Sequence, residues 1–162
     1  MDHLDPPADA RLLEVGCGPG AAAELLGARL VRGRLLAVDR SPTAVRRTAA
    51  RNAVHVEAGR LEVVESSLAD LERPAGSVDA AFAVDVNVFW LGPAVRELEV
   101  LLELVRAGGW LHLVYGAGPA GADRVVDGVT RSLRLAGVLD VAVSSGGSAL
   151  AVCGRRPEAV PG

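Results

Sequence analysis

Short apolar runs alternate along the chain with segments whose apolar residues recur at helical spacing. "RLLEVG" (11–16) and "RLLAVD" (34–39) are runs of the first kind, and their length and turn-residue endings suit buried parallel strands. Between them "GAAAELLGARLV" carries alanine and leucine at helical spacing, the crossover that a parallel pair requires. Ser41 followed by Pro42 forms an N-cap and a first-turn proline, so a second helix is predicted to run to about Glu57, where Ala58 and Gly59 stop it.

Three more strands are predicted over 60–66, 77–86 and 110–116. Between the last two, Val95, Leu98, Leu101, Leu102 and Val105 make a helical stripe, with Gly108 and Gly109 as its glycine cap. A final helix falls within 123–136, and "VLDVAVSS" and "SALAVCGRR", separated by Gly146 and Gly147, read as a β-hairpin. The order βαβαβ then βαβαββ predicts an α/β fold whose seven-stranded sheet is mostly parallel and ends antiparallel. Length and continuity predict one domain over 1–162, with the proline-rich ends 1–9 and 156–162 flexible.

Composition removes several function classes. All 17 basic residues are arginine; with no lysine, Schiff-base catalysis, a covalently held pyridoxal phosphate and a Walker phosphate loop are excluded. The formal net charge of −3 argues against a nucleic-acid partner, and no apolar run is long enough to span a bilayer. Cys17 and Cys153 lie 136 positions apart, a spacing that suggests neither a disulfide framework nor a zinc knot and suits a reducing cytoplasm. No metal site can be assembled from the histidines and acids.

The chemistry concentrates at "LLEVGCGPG". Gly16, Gly18 and Gly20 follow a strand and lead into a helix, where backbone without Cβ turns tightly and approaches a ligand beside the helix's free N–H groups. Nineteen residues after Gly20, Asp39 ends the second strand, where a carboxylate can accept hydrogen bonds from both hydroxyls of a ribose. Together they describe an adenosyl-ligand site.

In these motifs the chain resembles the class I S-adenosylmethionine (SAM)-dependent methyltransferases of the small-molecule branch. "LLEVGCGPG" resembles the family's first motif, with Glu14 in its acidic position; "AVDRS" resembles the second-strand motif; "SVDAAFAVDVNVFW" resembles the fourth-strand motif; and "ELEVLLELVRAGGWLHL" resembles the passage into strand five. The resemblance implies a Rossmann-like, doubly wound sheet with helices on both faces. It further implies a cofactor site of Glu14, Gly16, Cys17, Gly18, Gly20, Asp39, Arg40, Ser67, Leu68 and Asp85, with S-adenosylhomocysteine (SAH) as the product. Ser67 stands where the family usually has an acidic residue that binds the adenine amino group.

The implied reaction is in-line attack by a small-molecule acceptor on the sulfonium methyl, in which positioning and water exclusion do most of the work. Asp85 is the candidate catalytic group, to accept a proton or balance a developing cation. Asn87, Phe89 and Trp90, on the same loop, and Tyr115, near the end of strand five, are candidates for the acceptor pocket. The ten residues before Arg11 are too few for the family's helical roof, so Phe89 and Trp90 are expected to stand uncovered and a homodimer to cover them. Two other readings stay open: a non-catalytic SAM-binding subunit, and an NAD-binding Rossmann oxidoreductase, since Gly16, Gly18 and Ala21 also fit G-x-G-x-x-A.

Overall fold

The apolar runs all form strands of one sheet. The computed structural model describes residues 4–116, 121–146 and 149–158. Its strands are β1 (Arg11–Val15), β2 (Arg34–Asp39), β3 (Leu61–Glu65), β4 (Val78–Val84), β5 (Val105–Gly116), β6 (Leu139–Gly146) and β7 (Ala149–Arg155). Its helices are α1 (Ala21–Arg29), α2 (Pro42–Arg51), α3 (Ala53–Glu57), α4 (Val88–Leu91), α5 (Val95–Leu104) and α6 (Ala122–Leu135). Sheet order is β3-β2-β1-β4-β5-β7-β6, with the first five strands parallel and β7 antiparallel to both its neighbours. This is the α/β, Rossmann-like arrangement expected, with the hairpin closing one edge; Gly147 of its turn lies outside the described residues.

Alternation along the strands splits the core in two. On one face, Leu13, Val15, Ala81, Ala83, Leu111 and Leu113 pack with Phe89 of α4, Leu98 and Leu101 of α5 and Val129 and Leu133 of α6. On the other, Leu12, Leu35, Ala37 and Phe82 pack with Ala23 and Leu26 of α1. Two-sided burial explains why β1 and β2 read as continuous apolar runs without a polar alternation.

Four sequence expectations need correction. The helix beginning at Pro42 breaks at Asn52, whose side-chain amide donates to Thr48 O and to Gly20 O; the tertiary acceptor at Gly20 ends one helix and α3 begins after it. Ser41 does cap α2, accepting the Ala44 N–H at 3.3 Å. The glycine cap at Gly108 and Gly109 does not form, because α5 ends at Leu104 and Val105 already pairs with Val78 of β4. Gly76 N–H and the Arg156 guanidinium take the carbonyl of Glu103, so the helix end is satisfied by neighbours, and the glycines serve an irregularity within β5. The "VFW" stretch forms the short α4 where a loop was expected, and Gly128 of α6 packs so closely on it that a Cβ there would lie 2.6 Å from Trp90 O. Finally, residues 4–10 ahead of β1 are anchored, while 1–3 and 159–162 of the ends expected to be flexible lie outside the described residues: Leu4 is buried with Ala10 in the second core, and Arg32 and Gly33 donate to Ala8 O. Arg156 is likewise held, exchanging backbone hydrogen bonds with Gly108 and Gly109.

Candidate active site

Strand order reverses between β1 and β4, and a cleft of about 1070 Å³ opens there beyond the carboxyl ends of β1, β2 and β4. Gly16 and Cys17 N–H groups both donate to Val38 O, which turns the chain from β1 across the end of β2. Gly16, Gly18 and Gly20 then adopt φ of +70°, +52° and +79°, the left-handed region glycine favours. Their lack of Cβ serves different ends. A Cβ on Gly16 would stand 2.7 Å from Val86 Cγ2, and one on Gly20 would meet Asn52 and Thr48, but one on Gly18 would project into open space in the cleft.

Two residues that sequence reasoning missed hold this loop from behind. Thr48 of α2 donates to Gly18 O at 3.0 Å, and Asn52 donates to Gly20 O at 3.1 Å, both from fully buried positions. The available signal was two polar residues one helical turn apart on the helix's inward side.

Asp39 fastens the loop from the front. Its Oδ2 accepts the Gly18 N–H at 3.0 Å and its Oδ1 accepts the Ser41 N–H at 2.9 Å, which leaves each oxygen further acceptor capacity toward the cleft it lines. Glu14 does not line the cleft; it is 2% exposed on β1, and its Oε2 has no hydrogen-bond partner. Burial, reinforced by the charge of Asp39, pushes its pKa up to about 8, so it is mostly protonated at neutral pH. A buried, unsatisfied carboxyl beneath a cleft is costly unless a ligand compensates it.

The other predicted cofactor residues divide. Arg40, Ser67, Leu68 and Asp85 line the cleft with Gly16, Gly18 and Asp39, whereas Cys17 is buried and Gly20 is the uncapped N-cap of α1. The Ser67 hydroxyl donates to Asp70 Oδ2 at 2.6 Å and accepts the Asp70 N–H, so its proton is spent on the turn it caps. Asp85, exposed at φ +55°, accepts the Gly116 N–H through Oδ1 at 2.8 Å and donates its own N–H to Val114 O, which ties the ends of β4 and β5 together.

Among the expected acceptor residues only Asn87 lines the cleft. Phe89 is fully buried in the core, Trp90 packs under the Arg124 guanidinium and donates to Asn87 Oδ1, and Tyr115 is buried with its hydroxyl donating to Val86 O. Burial, then the nearby charge of Asp85, raises the Tyr115 pKa, so the phenol stays neutral. The expectation of an uncovered Phe89 is therefore corrected, while Trp90 is half-buried beneath Arg124 and does not stand free. The cleft wall on that side comes instead from Val88, Leu91, Pro93, Ala94, Val95 and Glu97. Among the described residues no group of three or more His, Cys, Asp or Glu is placed to hold a metal, and no helix is long and apolar enough to cross a membrane.

Strand order, glycine loop and acidic strand end define a Rossmann-like domain built to hold a ligand at its switch point. Residues 12–109, more than half of the chain, match the family described as "Methyltransferase domain", and the chain belongs to that family, the class I SAM-dependent methyltransferases. Solved structures similar in fold include a SAM-dependent methyltransferase from Aquifex aeolicus (TM-score 0.78, 20% identity, 93% of this chain and 83% of that chain covered). Others are an O-methyltransferase from Thermotoga maritima (0.79, 13%, 99% and 64%) and the [4+2]-cyclase SpnF (0.73, 20%, 94% and 76%). No curated protein matches the chain in sequence. At these identities the neighbours speak to fold, and a cyclase among them shows that the fold by itself does not name a reaction.

Proposed function

We propose that this protein binds SAM in the cleft and transfers its methyl group to a small-molecule acceptor by in-line displacement. The observation that carries this reading is Asp39, held by the loop it faces while keeping free acceptor capacity in the cleft, where it would take the ribose hydroxyls. Gly18 presents no side chain there, and Leu68 and Ala69 supply an apolar edge suited to adenine. Glu14, buried and unsatisfied on the neighbouring strand β1 behind the cleft, suits a cationic ligand, which would favour its ionised form. The cofactor when bound supplies a methyl group on positively charged sulfur, already activated for displacement.

The residues of this chain then position and shield. The loop between Gly16 and Gly20 is pinned by Thr48, Asn52 and Asp39, so the site is formed before ligand arrives and little ordering cost attends binding. Asp85 lines the acceptor side and supplies a carboxylate able to receive a proton. Calorimetric titration with SAM, SAH and NAD tests the cofactor assignment: SAM and SAH are expected to bind and NAD not to, and tight NAD binding with no response to the adenosyl pair overturns it. Labelled-methyl transfer to metabolite extracts then separates an enzyme from a subunit that only binds.

A further inference from the structure

Beyond β4 the cleft has a second half that the adenosyl ligand's contacts do not use. Its wall runs from Asp85 through α4 to the first turn of α5, and two of its large apolar residues, Leu91 and Val95, are 64% and 58% exposed. Among the described residues its ionisable lining groups are Asp85 and Glu97, and the cation that lines the cleft, Arg40, stands at the end of β2 on the opposite side. The start of α5 would by itself attract an anion, since Ala94 offers no side-chain cap, but Glu97 in that first turn places a full negative charge against a partial positive one. Both ionisable groups that line this half are therefore acidic, the Arg124 guanidinium is stacked on Trp90, and Leu91 and Val95 give the surface its apolar area.

We infer that the acceptor is an apolar amine, bound as its ammonium ion by Glu97 with its hydrocarbon body over Leu91 and Val95. The inference rests on the methyltransferase reading above and narrows it. A carboxylate or phosphate head group would meet two like charges in a partly desolvated cleft, and a neutral alcohol or phenol would gain nothing from the Glu97 charge. Asp85 completes the chemistry. The bound ammonium gives one proton to the Asp85 carboxylate and on to water; the freed lone pair forms a nitrogen–carbon bond while the methyl carbon–sulfur bond breaks with its electron pair passing to sulfur. The products are a methylated ammonium ion, SAH and one proton, which conserves charge.

The test uses the full chain loaded with SAH and three hydrocarbon bodies, 2-phenylethyl, 2-naphthylethyl and octyl, each carrying an ammonium, hydroxyl or carboxylate head. By calorimetry at least one amine is expected to bind tenfold or more tighter than its matching alcohol, and the carboxylates more weakly still. Glu97→Gln is expected to weaken the amine five- to tenfold while leaving the affinity for SAH and the alcohols unchanged, and with the unaltered protein 0.5 M salt is expected to weaken the amine selectively. Labelled-methyl transfer should follow the same ranking. Binding of none of the nine compounds, equal or tighter binding of an alcohol or carboxylate, or an amine affinity indifferent to both Glu97→Gln and salt overturns the assignment. A chain that takes neither SAM nor SAH overturns the parent reading instead, and that titration is run first.

Discussion

Two residues, Asp39 and Gly18, carry most of the proposed cofactor contact, and they act differently on substitution. Asp39→Ala removes the acceptors for the Gly18 and Ser41 N–H groups together with the acceptors offered to a ribose, so SAH affinity is expected to fall by about 1.5–3 kcal/mol in calorimetry. An unchanged affinity would exclude Asp39 from the site. Gly18 is held at φ +52° with open space where its Cβ would be, so Gly18→Val costs twice: a β-branched residue is strained there, and its side chain enters the ligand's volume. SAH binding is expected to be lost in that variant while the far-UV circular dichroism stays native. The glycines and Asp39 were legible in the sequence because backbone conformation and strand position constrain residue type locally. The fates of Phe89, Trp90 and Tyr115 were not, because an aromatic residue after a strand has the same letters whether it faces a cleft or a core.

At the scale of elements, the glycine loop depends on a helix from a different part of the chain. Thr48 of α2 and Asn52 at its C-cap donate to the carbonyls of Gly18 and Gly20, and Asn52 also caps α2 through Thr48 O. Asn52→Ala leaves Gly20 O without its side-chain donor and is expected to cost about 1–3 kcal/mol of stability in denaturant titrations. Thr48→Val keeps the shape and removes one bond, with an expected loss of about 1 kcal/mol. In both variants faster hydrogen exchange at the loop amides is expected ahead of any change in the distant β7, and uniform acceleration would show that the pinning is not local. The same helix shows why element boundaries were harder to read than elements: the break at Asn52 and the early end of α5 are set by partners far along the chain, which no local propensity contains.

For the whole molecule, two carboxyl groups shape the dependence of stability on pH in opposite senses. Glu14 has a folded pKa of about 8 against an ordinary 4.5, because burial and then the charge of Asp39 disfavour its ionised form. The folded state therefore holds its proton more tightly than the unfolded chain does. Its contribution is fully present below pH 4.5 and is lost as pH rises through about 8, a change on the order of a few kcal/mol. Glu14→Gln, neutral at every pH, is expected to flatten that decline, which thermal melts of the ligand-free protein between pH 5 and 9 will read as a difference growing with pH; parallel curves would contradict the burial argument. Asp79 behaves conversely. Burial pushes its pKa up, but the Arg11 side chain and backbone N–H and then Arg106 outweigh this and hold it low, so its stabilisation is present above its ordinary pKa and lost as pH falls below it.

What the amino-acid order determined by itself was the succession of strands and crossover helices, the glycine turn and the acidic end of β2. Each of these follows from local rules: apolar runs must be buried, parallel strands need a crossover, and left-handed backbone favours glycine. Tertiary structure alone decided which residues share the cleft. It withdrew Phe89 and Tyr115 into the core, put Thr48 and Asn52 behind the loop, and turned Leu91, Val95 and Glu97 toward the ligand side, because a side chain's surroundings are set by the packing of α4 and α5 against α6 and the sheet. Spacing in sequence carries no record of that packing, since the contacting residues lie tens of positions apart and are selected by shape and burial.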